Sequence, residues 1–260
     1  MILVKKLAFA PFFIIFFGLL IYQINPLIKS YDFIFSLSIN SLISLTFLST
    51  LILLTSFAFV LFASLALNWK IVFPVGILAS LFPIIFLNQA QGLVFAVGIF
   101  VSLLVTNISL ENTMKTYLTF HPSSLLGPSI KHLSSLLIVV ICITYFLSLN
   151  KVIQENGFQI PDSLVETVLK LNPQPQEIPL NLGENFIKQA VQDQIQNFIK
   201  PYMGFVPALL AILLFFTLQS LTSIINLLIH PLLWLIFLML EKSAFISFTT
   251  EMRPVKKMVL

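Results

Sequence analysis

Long apolar runs alternate with short polar breaks along the chain, and the lengths of the runs predict its elements. The runs extend from Leu7 to Leu27, Phe33 to Asn68, Ile71 to Leu87, Gly92 to Leu110, Leu133 to Leu149, Tyr202 to Ile229 and Pro231 to Leu240. A helix rises about 1.5 Å per residue, so crossing a hydrocarbon layer about 30 Å thick takes roughly 20 residues. The second run is too long for one upright helix, and the seventh is too short. The pattern predicts an all-α polytopic membrane protein with six full transmembrane helices. The short seventh segment, with Pro231 turning the chain ahead of it, is re-entrant, interfacial or spanning, and a small helical extramembrane segment completes the chain.

Inside the second run, Ser36, Ser38, Asn40, Ser41 and Ser44 gather at the start, while Leu45 to Leu67 is more continuously apolar. The expectation is a polar-lined or interfacial approach followed by one span, because no Gly, Pro or Asn near the middle supplies a turn. Trp69 and Lys70 then form a tight connection with an aromatic ring at headgroup level. Asn88 to Gln91, followed by Gly92, predict a polar turn that makes a hairpin of the third and fourth segments. Small residues recur at helical spacing: Gly76 with Ser80, Gly98 with Ser102, and Ser49, Ser56 and Ala63 by sevens. Such stripes let helix backbones approach in lipid, where apolar surface gains little by hiding from apolar solvent.

Two stretches break the apolar pattern. Over 109–132, Glu111 and Lys115 stand four residues apart as a helix-favouring ion pair, with Tyr117 and Phe120 as interfacial anchors. His121–Pro122 and Gly127–Pro128 then predict a loop. Over 151–201, six acidic and four basic residues gather. There Ser163 to Glu166 fits a capping box for a short helix, Asn172 to Pro179 holds three prolines of an extended spacer, and Gly183 to Lys200 carries an apolar face. About 50 residues make a small core, so these amphipathic helices need another surface to cover them. The chain thus divides into a membrane domain with five spans over 1–150, the extramembrane segment 151–201, a C-terminal membrane hairpin over 202–248 and a basic tail over 249–260.

Charge adds orientation. Only 9% of the residues are charged, against roughly 25% in a soluble domain. From Phe33 to Asn150 the charges are Lys70, Glu111, Lys115 and Lys131 alone. With the amino terminus cytoplasmic, Lys5, Lys6, Lys70, Lys115 and Lys131 share one face and only Lys29 occupies short loops on the other, as the positive-inside rule requires. Segment 151–201 is then extracytoplasmic, and the cell (plasma) membrane is the expected location. The run after Lys5 and Lys6 lacks a small-x-small cleavage site, so it reads as a retained span. A net charge of +4 is too small and dispersed to suggest nucleic acid.

The chemistry is sparse. The metalloprotease, nucleophile-elbow and phosphate-loop motifs are absent, as is Cys/His metal spacing. His121, His132 and His230 stand apart from acidic partners, and the single Cys142 lies in an apolar run as an inert thiol. No catalytic, cofactor-binding or metal residue is assigned, and no cofactor is implied. Asn107 and Asn226 are the polar exceptions within spans, each expected to make a hydrogen bond between helices. The expected partners are the lipid bilayer and a protein engaged through 151–201. The function expected is non-enzymatic partner binding or assembly. A transport or channel subunit is the alternative, and a lipid-acting enzyme using the Glu111 to His132 region is a third class.

Overall fold

The computed structural model describes residues 2–29, 39–66, 68–87, 89–117, 119–156 and 200–247. Every regular element among them is helical: α1 (Ile2–Leu7), α2 (Ala10–Lys29), α3 (Ile39–Ala66), α4 (Trp69–Phe86), α5 (Gln89–Thr116), α6 (Pro122–Asn156), α7 (Val206–Ile225) and α8 (Ile229–Lys242), with 3-10 turns at Lys200–Phe205 and Asn226–Leu228. Six helical runs are long and apolar enough to cross a membrane, the last being the run from Lys200 to Lys242.

Side-chain contacts fix the helix directions. Phe13 of α2 packs 5.2 Å from Phe59 of α3, while Gln23 and Leu27, at the far end of α2, share a cleft with Ser44 and Leu48. α2 and α3 are therefore antiparallel. Phe73 of α4 meets Phe100 of α5, and Gly92 of α5 meets Pro83 of α4, which makes the same statement for that pair. Gln91 bonds to Ser148 and Gly98 faces Val140, so α6 runs against α5. Gln219 of α7 reaches back to Ser135 of α6. The six runs alternate in direction, and Lys5, Lys70 and Lys115 fall at one end of the bundle. α3 is its axis: 78% of its most apolar stretch is buried, against 22% in the C-terminal run. The core around it holds fully buried Phe13, Phe17, Phe59, Phe62, Phe95 and Tyr145.

Local chemistry explains the tight turns. Asn68 accepts a 3.0 Å hydrogen bond from the Lys70 backbone N–H, capping α4 immediately after α3 ends. At the other end of α4, a Cβ added to Gly92 would stand 2.8 Å from the Pro83 carbonyl oxygen. Only glycine admits so close a return of α5.

Of the second apolar run, Ile39–Ala66 forms one 28-residue helix, α3, about 42 Å long, so the serines at its described start continue the span as helix. Three expectations are corrected. The loop predicted over 109–132 is largely helix: α5 continues through Thr116 and α6 begins at Pro122. Pro122 occupies the first helical position, where its missing N–H costs nothing. Gly127–Pro128 does not break α6, because Leu126, Ile130 and Leu133 of that stretch are fully buried and packing outweighs the lost backbone bond at Pro128. Nor do the described residues 202–247 form a hairpin. Gln219, His230 and Phe237 meet Ser135, Gly127 and Phe120 in turn, so α8 continues along α6 instead of folding back on α7. Pro231, expected to turn the chain, sits in the first turn of α8. The inner part of 151–201, with its capping box and proline spacer, lies outside the described residues, as do Ser36, Ser38 and the tail 249–260.

Candidate functional site

Polar groups inside the bundle are the starting material for any site. The buried polar residues are serines, threonines and asparagines; none is acidic, basic or histidine among the described residues. Six of the hydroxyls are satisfied by their own helix. Ser56, Ser80, Ser102 and Thr144 donate to the carbonyl four residues back at 2.7–2.9 Å, and Ser64 and Ser134 to the one three back at 2.9 Å. The small stripes therefore offer compact, internally bonded surfaces for packing. Gly98 shows the use of this: a Cβ there would lie 2.8 Å from Cγ1 of Val140.

Two glutamines bond between helices. Nε2 of Gln91 donates to Oγ of Ser148 at 2.9 Å, and Nε2 of Gln219 donates to Oγ of Ser135 at 3.4 Å. The asparagines singled out for that role do not play it. Asn107 is buried with no hydrogen-bond partner among the described residues, and Oδ1 of Asn226 is buried without one in the 3-10 turn before α8. The hydroxyls of Ser49, Thr55, Thr106 and Thr222 are likewise buried and unpartnered. The signal for the glutamine clips was present in the sequence as amides bordering or interrupting apolar runs, but which serine each would face is a matter of helix register.

The histidines are dispersed. His121 precedes α6 and His132 lies within it, about 16 Å apart along a helix; His230, on α8, touches Gly127. Among the described residues no group of three His, Cys, Asp or Glu side chains could hold a metal ion. Cys142 is buried. Glu111 and Lys115 form the expected ion pair at 2.6 Å, and Tyr117 and Phe120 stack edge to face at 5.8 Å. Phe120 also packs 5.3 Å from Phe237, joining α8 to the end of the bundle.

Two adjoining shallow clefts open where α3, α4 and α5 meet, at the end marked by Lys70 and Lys115. One is lined by Phe73, Gly76, Phe100 and Leu104. The other is lined by Asn68, Glu111 and Met114. Trp69 and Asn107 belong to both. This is where apolar surface, an unsatisfied amide and charge come together.

The chain matches no known protein family, no curated protein and no solved structure.

Proposed function

We propose that this chain is an integral protein of the cell membrane that crosses it six times and serves a non-catalytic role, binding a partner or organising an assembly through segment 151–201. The observation that carries the reading is the placement of charge. Buried polar positions hold only Ser, Thr and Asn among the described residues, a composition suited to helix packing and poor in the ionisable groups that proton and ion pathways use. Among the described residues, charged side chains sit near helix ends except Lys131, nine residues into α6, with Lys5, Lys70 and Lys115 together at one end.

The positive-inside rule makes that end cytoplasmic. α6 and the turn at Lys200 then deliver segment 151–201 to the opposite face. α8 belongs at the cytoplasmic interface, with Ile229, Leu233 and Phe237 buried and Trp234, Leu235 and Met239 exposed. An aromatic and aliphatic outer face of that kind suits the boundary of headgroups and acyl chains.

The direct experiment is photo-crosslinking in cells from residues substituted at Ile187 and Ile195. The reading expects both to capture the same second chain; crosslinks confined to the protein itself overturn the partner role. Limited proteolysis of sealed vesicles tests orientation, with cleavage near Asn172 to Pro179 expected only from the extracytoplasmic side.

A transport or channel subunit is the second reading. It is favoured by the unpartnered hydroxyls of Ser49, Thr55, Thr106 and Thr222, since hydroxyl oxygens can line a path without charge. A nucleotide-hydrolysing chain as the crosslinked partner would select it.

A further inference from the structure

We propose that the cleft between α3, α4 and α5 binds a phospholipid with a primary-amine headgroup, an inference that rests on membrane residence but not on the partner role. Asn107 begins the argument. Its residue is only 7% exposed, it has no hydrogen-bond partner among the described residues, and it lines both halves of the cleft. A carboxamide carries two donors and an acceptor, and that of Asn107 borders the cleft. Buried polar groups that a protein leaves open in this way call for a partner from outside it.

The order of the walls says which kind. The inner half is apolar, and Trp69, Phe73 and Phe100 form a continuous aromatic wall there, with ring centroids 5.7 and 5.8 Å apart. Gly76 leaves the floor open, its nearest outside atom being a Leu103 methyl 3.9 Å from where a Cβ would stand. Asn107 lies at the junction, and Asn68 and Glu111 line the outer half. Acyl chain, ester and headgroup follow the same sequence in a glycerophospholipid. The acyl chain lies against the aromatic wall, and the Asn107 amide N–H donates to an ester carbonyl.

The headgroup is read from charge. Glu111 and Lys115 present opposite charges side by side, and their side chains are 39% and 68% exposed, which leaves both accessible. An ammonium group donates to the Glu111 carboxylate, which lines the outer half and whose other partner, Lys115 Nζ at 2.6 Å, stands just outside that lining. A trimethylammonium headgroup has no N–H to donate. A headgroup carrying only negative charge meets the Glu111 carboxylate with repulsion.

The test uses the full chain, purified in mild detergent and stripped of its own lipid. Phosphatidylethanolamine, phosphatidylcholine and phosphatidylglycerol of identical acyl composition are added in equal amounts, and retention is read by native mass spectrometry. The wild type is expected to retain the ethanolamine lipid above the other two. Asn107→Leu should lower that retention about tenfold while leaving thermal stability equal or higher, because it removes the bare amide. Glu111→Gln, at an accessible position that should not disturb folding, should bring the ethanolamine-to-choline ratio close to one. Equal retention of all three lipids, preference for the glycerol lipid, or unchanged retention in Asn107→Leu overturns the proposal. Any of these outcomes in a protein that still fractionates with membranes leaves membrane residence standing; recovery of the chain in the soluble fraction would remove both.

Discussion

Lys5 and Phe245, 240 residues apart in sequence, are joined by a 3.0 Å hydrogen bond from Nζ to the backbone carbonyl oxygen. The same ammonium lies 3.3 Å from the Ala244 carbonyl and 5.2 Å from the centre of the Phe245 ring. The bond closes the bundle between its first helix and the turn after α8. It also puts the end of α8 beside the end of the bundle from which α2 starts, so α8 does not travel back along the six-helix body.

That geometry predicts the accessibility of the residues beyond α8. A cysteine introduced at Ser247, in a Cys142→Ser background, should be shielded from a membrane-impermeant thiol reagent applied outside intact cells and should react once the membrane is permeabilised. Rapid labelling from outside would mean a seventh crossing and would overturn the placement of α8.

The turn that Lys5 holds contains a local strain. Ala244 has φ of 52°, and the Phe245 N–H returns to the Leu240 carbonyl at 3.0 Å, the six-to-one bond of a Schellman cap. A left-handed conformation costs a residue with a Cβ about 1–2 kcal/mol, part of which glycine gives back as chain entropy. Ala244→Gly should therefore stabilise the fold by roughly 0.5–1 kcal/mol, seen as a modestly higher melting temperature in detergent. A lower one would show that the turn is held by the alanine side chain.

Packing of α5 on α6 turns on Gly98. Replacing it by leucine forces the helices apart at Val140 and should destabilise by about 1–3 kcal/mol or more, as overpacking does, with a fall in the yield of folded protein. Gly98→Ala should be milder, and Val140→Ala in the same chain should restore much of the loss. Stability unchanged in Gly98→Leu would refute the register that pairs these two residues.

Two other glycines make a matched contrast. Gly92→Ala sets a methyl against the Pro83 backbone and should destabilise the α4–α5 hairpin, since backbone cannot rotate aside as a side chain can. Gly18 has nothing within 4 Å of the added carbon, and its replacement by alanine should stabilise α2 by roughly 0.5–1 kcal/mol. Thermal melts of the two variants should move in opposite directions.

Element by element, the sequence by itself determined the apolar helices. A charge is expensive in an apolar layer, so a run without charges is long only where the chain is meant to be buried; this fixed α2, α4 and α7 to within a few residues and the apolar middles of α3, α5 and α6. The Glu111–Lys115 pair and the close-packing use of Gly98 were legible for a related reason, because spacing along one helix is local. The tertiary structure decided what depends on a neighbour. Gly127–Pro128 reads as a loop until the burial of Leu126, Ile130 and Leu133 holds it helical, and Pro231 reads as a turn until α8 finds the flank of α6. Asn107 reads as a bond between helices, yet the rotation of α5 sets it at a cleft where no described residue accepts from its amide. Helix existence is written in composition along the chain, whereas helix register and rotation are set by the shapes that meet across it, and those shapes exist only once the bundle has closed.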